Sequence, residues 1–302
     1  MLRPRIPFLV ILFTAWLATT QGPTQTIPVV VWDEQPSHKQ AHSTFLGNEI
    51  AAFLASRPGL AVPSVKLDNA DQGLGSDILD NCQVLLYGDH FRHHEVKRDK
   101  AREIVRRIKS GQLAMISLHS ARWSLAFIEA VAEVTRNRTI QRYASADHLI
   151  DSAFAQGRDF VGPAPNSQIT RRVTARKFPH GRTALKVDLP NCAFPIWREE
   201  GKPSYLTTLH ANPTIARGIP ARFTLPATEM YDEPCQVPQT DEVVCAERWT
   251  SGEWFRSDCV CRQGRGTVFP FRPGPKTFFP STKEKVPLKI IENAVRWLAN
   301  RR

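Results

Sequence analysis

Three apolar runs in the first 120 residues, "IPVVVW" (Ile27 to Trp32), "CQVLLYG" (Cys82 to Gly88) and "LAMISLHS" (Leu113 to Ser120), alternate with stretches of helical periodicity. No other feature narrows the fold so far. The first run is followed by a helix around Phe45 to Ala55, with Leu46, Ile50, Phe53 and Leu54 on one side. "AVPSVKL" adds a further strand before the second run. The next helix, Glu95 to Ser110, carries Ala101, Ile104, Val105 and Ile108 at i, i+3, i+4 and i+7, and stops at Gly111, a favoured residue just past a helix end. After the third run, "ARWSLAFIEAVAEV" places Leu125, Ile128, Val131 and Ala132 at helical spacing. This succession predicts an α/β fold: a three-layer, mostly parallel sheet with helices on both faces. Ligands of such sheets bind beyond the carboxyl ends of the strands.

The rhythm fades between about residues 135 and 191, where turn-rich sequence such as "VGPAPNSQ" surrounds one strand-like patch, "RRVTARKF". This segment reads as an irregular, partly β insertion packed on the sheet within a single domain spanning 27–300. Short strands return at "SYLTTL", "EVVCAER", "WFRSDCVC" and "GTVFPF". A last helix, about Val286 to Asn300, closes the chain with Ile291, Ala294, Val295 and Leu298 on one face.

The N-terminus begins with Arg3 and Arg5 and an apolar run from about Ile6 to Ala18. That run is short for a bilayer span and reads as a signal peptide over residues 1–22, with an uncleaved N-terminal anchor as the alternative. Export to the periplasm or the extracellular space is the expectation. The net charge of +11 is spread along the chain. Its densest cluster is the solvated face of the amphipathic helix at 95–110, so nucleic acid is not expected as a partner. The six cysteines, Cys82, Cys192, Cys235, Cys245, Cys259 and Cys261, contain no C-x-x-C zinc pattern. Cys259 and Cys261 sit in strand-like sequence, where a bond between the two is not expected, and the simplest reading of the cysteines is of buried small apolar residues or a single bridge.

Four strand ends carry polar groups. In "YGDHFRHHEV", Asp89, His90, His93 and His94 follow a strand, and histidines at this density suit proton relay or metal binding. In "LHSARWS", His119 and Ser120 occupy the strand-to-helix turn, where Ser120 is either a ligand contact or simply the helix N-cap. "TEMYDEPCQVP" holds Glu229, Asp232 and Glu233 in what reads as an acidic binding loop. Carboxylates beside imidazoles equip a site for general acid–base chemistry. Finally, Arg256 in "SGEWFRSD" and Arg272 in "VFPFRPGPK" alternate with aromatics on strands expected to be neighbours, an arrangement that can clamp a sugar or carboxylate.

In this order, "VWDE", "GLGSDILDNCQVLLYGDHFRHHEV", "LHS", "EMYDEP", "GEWFRSDCVCRQGRG", "FRPGP" and "NAVRWL" resemble the trehalose-utilisation (ThuA-like) family. The resemblance implies a flavodoxin-like fold similar to class I glutamine amidotransferases, and a role on oxidised (keto) disaccharides or glycosides related to trehalose. It places catalytic roles at His90, His93, His119, Glu229 and Glu233, with Ser120, Tyr231, Glu253, Arg256 and Arg272 contacting substrate. A divalent metal, with His90, His93 and His119 as candidate ligands, is compatible with it.

Two departures bear on activity. Arg122 stands where the family has a histidine, and Pro275-Lys276 stand where it has a His-Glu pair. Two added cations disfavour a metal and remove proton carriers. A glutaminase is excluded, because that chemistry needs a cysteine nucleophile and none lies near Ser120. The leading expectation is therefore a hydrolase- or isomerase-type protein acting on a small sugar. A non-catalytic carbohydrate- or partner-binding module is the alternative, and a serine hydrolase using Ser120 ranks last.

Overall fold

A computed structural model describes residues 26–34, 46–88, 92–143, 150–155, 172–179, 183–188, 197–233, 240–273 and 284–301. The N-terminal leader, "VGPAPNSQ", His90, Cys192, Cys235 and the Pro275-Lys276 pair lie outside the described residues.

The first half builds as its periodicity dictates. Strands β1 (Ile27–Asp33), β4 (Val84–Gly88) and β5 (Ala114–Leu118) pair in parallel, and β13 (Gly266–Phe271) joins β5 in the same sense. Alternation along each strand splits the core in two. Val30, Trp32, Leu85, Tyr87 and Met115 pack with Ile104 and Ile108 of α3 (Arg98–Ser110) and Phe127 and Val131 of α4 (Leu125–Tyr143). On the other face, Val29, Val31, Val84, Leu86 and Ile116 meet Ile50 and Leu54 of α1 (Leu46–Ala55) and Ile290, Ile291 and Val295 of α5 (Lys285–Ala299). Apolar side chains on both faces are what a strand between two helix layers requires.

The sheet as a whole is mixed, not mostly parallel. Its order is β10-β9-β11-β12-β13-β5-β4-β1-β2. The strands β9 (Trp197–Thr208), β10 (Arg222–Tyr231), β11 (Glu242–Arg248) and β12 (Trp254–Gln263) are antiparallel to their neighbours, and they include the longest of the sheet. "AVPSVKL" is two short pieces, β2 (Leu60–Ala61) and β3 (Ser64–Lys66), separated at Pro63, which has no N–H to offer a ladder.

Three further boundaries differ from the sequence reading. A 3-10 turn at His93–Glu95 precedes α3, which therefore starts at Arg98. Helix α4 runs on to Tyr143, with the hydroxyls of Thr135 and Thr139 bonded back to the carbonyls of Val131 and Thr135 within the helix. The irregular segment thus begins later than residue 135, and its described part contains a separate three-stranded sheet of β6 (Ile150–Ala155), β8 (Thr183–Asp188) and β7 (Arg172–Lys177). Finally, the stretch ending in Glu229 and Tyr231 is strand β10 and not a loop. Pro226 disguises it. As the outermost strand, β10 tolerates a proline, and its register with β9 shifts on either side of Thr228.

The β12–β13 turn is pressed onto the end of α3. Arg265 donates its N–H to the Lys109 carbonyl at 3.0 Å. Gly111, just past the helix, has φ 78°, the left-handed conformation glycine adopts without cost. A methyl at Gly266 would collide with the carbonyl oxygen of Ile108 and stand 2.9 Å from that of Leu113. Gly266→Ala should therefore lower stability by about 1–3 kcal/mol, as overpacking against fixed backbone does. Urea denaturation measures it, and an unchanged midpoint would show that the turn has room to move away from α3.

Candidate functional site

The end of β5 sets the site. His119 is the first residue after the strand and has φ 39°, a left-handed conformation that a non-glycine residue adopts at a cost of about 1–3 kcal/mol. The turn His119–Trp123 separates the strand from α4, so the residue that caps α4 is Ser124, whose hydroxyl accepts the Phe127 N–H at 3.2 Å. Ser120 is not the helix cap.

The strained turn holds the His119 ring between two partners. Its Nδ1 lies 3.0 Å from the Arg272 backbone carbonyl, and its Nε2 lies 3.2 Å from Oε2 of Glu229. A carbonyl only accepts, so Nδ1 carries a hydrogen. Nε2 and the carboxylate oxygen then face each other as two acceptors unless they share one proton. The same Glu229 oxygen accepts the Tyr231 hydroxyl at 2.8 Å. Burial, the Glu229 charge and this hydrogen bond hold the Tyr231 phenol well above its usual pKa, so it stays a donor. The result is a line from the Arg272 carbonyl through imidazole and carboxyl to phenol. His119 is 4%, Glu229 3% and Tyr231 5% exposed, so the line is nearly dry.

Two arginines surround it. The Arg272 guanidinium is 1% exposed; it is paired with Glu247, donates to the Glu229 backbone carbonyl at 3.2 Å, and lies 5.4 Å from the Trp249 ring and 5.9 Å from the Tyr231 ring. The Arg272 N–H donates to Asp258 at 3.2 Å. Arg122, in the place of the expected histidine, donates to the Ser257 carbonyl and lies 5.4 Å from the Phe255 ring. Asp258 is fully buried, and that burial pushes its carboxyl up to about 7 against the pull of Arg122 and of the Arg272 N–H.

The structure thus gathers His119, Glu229, Tyr231 and Arg272, and sets other candidates apart. Arg256 pairs with Glu233 at 3.1 Å. Arg256 alternates with Phe255 along β12, so this pair lies on the reverse side of the strand from Glu247 and Phe255. Glu253 is paired with Arg198. The backbone of His93 and Ser120 is placed, but their side chains, like His90, lie outside the described residues. The metal reading does not gain from the geometry. Among the described residues no three His, Cys, Asp or Glu side chains come together to hold an ion, and both ring nitrogens of His119 have partners of their own.

Sequence reasoning missed Glu247 and Asp258. Both sit in runs that read as plain strand, and only an acid at a position whose neighbours are apolar ("VVCAER", "RSDCVC") hinted at them. It also missed the role of Arg92, which is paired with Asp68 and Glu95 and bonds the Glu34 carboxylate through its backbone N–H, so fastening the loop that carries the histidines. Cys82, Cys245, Cys259 and Cys261 are buried, and Cys245 sits beside Asp258 with its thiol pushed up by burial.

No protein-family model matches this chain, and no curated protein is similar to it. Solved structures are. A protein described as ThuA-like from Parabacteroides merdae ATCC 43184 aligns at TM-score 0.53 and 12% identity, over 91% of this chain and 90% of that one. A second, from Bacteroides uniformis ATCC 8492, aligns at TM-score 0.54 and 12% identity, over 93% and 94%. At such identities the likeness is one of fold.

The Asp258 carboxyl makes stability depend on pH. Folded, it keeps its proton up to about 7; unfolded, it releases it near the ordinary aspartate value of about 4. Its contribution to stability is therefore complete below the unfolded value and lost as pH rises through the folded one. The difference in unfolding free energy between wild type and Asp258→Asn should fall from about pH 4 to about pH 7 and then level off. A difference independent of pH would mean that Asp258 titrates alike in the folded and unfolded chain.

Proposed function

We propose that this chain is an exported ThuA-like protein that acts on sugars, processing an oxidised disaccharide or glycoside related to trehalose, with His119 and Glu229 as its acid–base pair. The observation that carries the reading is the 3.2 Å contact between His119 Nε2 and Glu229 Oε2 in a buried cluster at the carboxyl end of β5. A pair that shares one proton can deliver it to a sugar oxygen and take one back, which is what isomerisation at a keto sugar or departure of a glycosidic oxygen requires. The Arg272 carbonyl fixes the tautomer, so the exchangeable position is always Nε2. Tyr231, donating to the same oxygen, balances charge on Glu229 as the proton leaves. With His119 and Glu229 under 5% exposed, chemistry follows an opening step that admits the sugar, and low dielectric then strengthens each polar contact.

Assay of keto-disaccharides and keto-glycosides beside their unoxidised parents tests the reading. Turnover should be confined to the oxidised compounds, and His119→Ala and Glu229→Gln should each lower kcat by about 10²–10⁴-fold, the range of general acid–base catalysis. Binding without turnover, or full activity in His119→Ala, replaces the enzyme with a binding module.

Export rests on the leader at residues 1–22. Among the described residues no helix is long and apolar enough to cross a membrane. N-terminal sequencing of protein recovered from cells should begin between about Thr20 and Pro23; an intact Met1 would establish an uncleaved leader.

A further inference from the structure

The antiparallel half of the sheet carries a second constellation on its outer side. In the registers of β9, β11 and β12, Arg248 stands opposite both Tyr205 and Trp254. Directly opposed residues share a face, so the three form one row. Their chain neighbours Leu206, Glu247 and Phe255 form the row behind, and each is 1% exposed or less. The front row is open: Tyr205 is 47% and Trp254 45% exposed, and Arg248 is exposed between them. Arg222 on β10 stands opposite Thr207, two residues along β9 from Tyr205, and so shares this face.

The cations here differ from those around them. Arg198, Arg256 and Arg262, on the same or adjoining strands, are each bonded to a carboxylate. Among the described residues no hydrogen bond or ion pair engages the guanidinium of Arg248 or Arg222. The acids nearest Trp254 are already engaged. Asp232 accepts the backbone N–H groups of Trp254 and Glu233, and Glu233 is held by Arg256. Two exposed aromatic planes flanking a guanidinium have the composition of a binding hot spot, which is enriched in Trp, Tyr and Arg.

We propose that Tyr205, Arg248 and Trp254 form a binding platform for a polysaccharide whose rings carry carboxylates. Adjacent strands lie about 4.8 Å apart, so the two aromatics stand roughly 10 Å apart, the span of two linked pyranose rings. Tyr and Trp present rigid, amphipathic planes to the C–H faces of such rings at low entropic cost. The Arg248 fork matches a carboxylate between them, with Arg222 one strand beyond Tyr205. Single-stranded nucleic acid fits less well, because a phosphate-tracking groove needs a run of cations and this face offers two uncompensated ones. A second copy of the chain fits less well too, since threonines and arginines break the apolar area. The platform lies on the reverse side of the strands from Glu247 and stands independently of the chemistry at His119.

Affinity electrophoresis and calorimetry with polygalacturonate test it on the full chain. Wild type should bind, with affinity falling as salt rises. Trp254→Ala and Arg248→Gln should each weaken binding about tenfold or more, with circular dichroism showing that both variants keep the wild-type fold. Four outcomes overturn the proposal: no binding of polygalacturonate; equal binding by the variants; equal or tighter binding of a neutral glucan, dextran sulfate or a single-stranded oligonucleotide; or a wild-type dimer in light scattering that Trp254→Ala dissociates.

Discussion

The buried guanidinium of Arg272 is the interaction on which the candidate site depends. One residue connects the ends of five strands. Its side chain reaches Glu247 on β11 and the Glu229 carbonyl on β10, its N–H meets Asp258 on β12, and its carbonyl holds the His119 ring beyond β5, while Arg272 itself ends β13. Burying a charge of this kind is tolerable only when it is paired and hydrogen-bonded, and removing one partner leaves the other stranded in low dielectric. Pro273 contributes in a way visible from sequence alone. The residue before a proline is driven to extended backbone, so Arg272 continues the path of β13 and cannot curl away.

Glu229 reaches this point by an indirect route. In the sheet order β10 is separated from β5 by four strands, β9, β11, β12 and β13, yet Glu229 touches the histidine that follows β5. Only a bent ribbon closes such a gap. The register shifts between β9 and β10 on either side of Thr228 provide the bend, since each bulge sharpens twist and re-aims the side chains beyond it. The Thr228 hydroxyl, accepting the Trp249 indole N–H at 3.1 Å, pins the bent end to β11. Met230 and Tyr231 beyond it join the α3–α4 side of the core, whereas Leu225 before it belongs to the α1–α5 side. The irregular strand is thus what makes a site out of distant parts.

This geometry explains what the sequence could and could not disclose. The parallel half was legible because its strands are short, doubly apolar and separated by amphipathic helices, a pattern with few competing solutions. The antiparallel half was not, because its strands are long and half-exposed and their order depends on pairing between distant segments. A proline inside β10 and acids at its end argued locally for a loop, and tertiary pairing overrode them. His119 and Arg272 could be found as polar residues where apolar strands stop. Glu247 and Asp258 could not, since each is an acid whose only justification is an arginine brought to it by the fold.

The arginine at position 122 gains its meaning from the same cluster. The family resemblance expects a histidine there, and its loss suggested a disabled site. Yet the contact between His119 and Glu229 forms without it, flanked by the Arg272 carbonyl on one side and Tyr231 on the other. Arg122 brings a guanidinium into this buried cluster, where it pulls against the burial that pushes the Asp258 carboxyl up to about 7. The replacement leaves the His119–Glu229 contact in place and sets near it a guanidinium and, on the neighbouring strand β12, a carboxyl that burial shifts toward neutral pH.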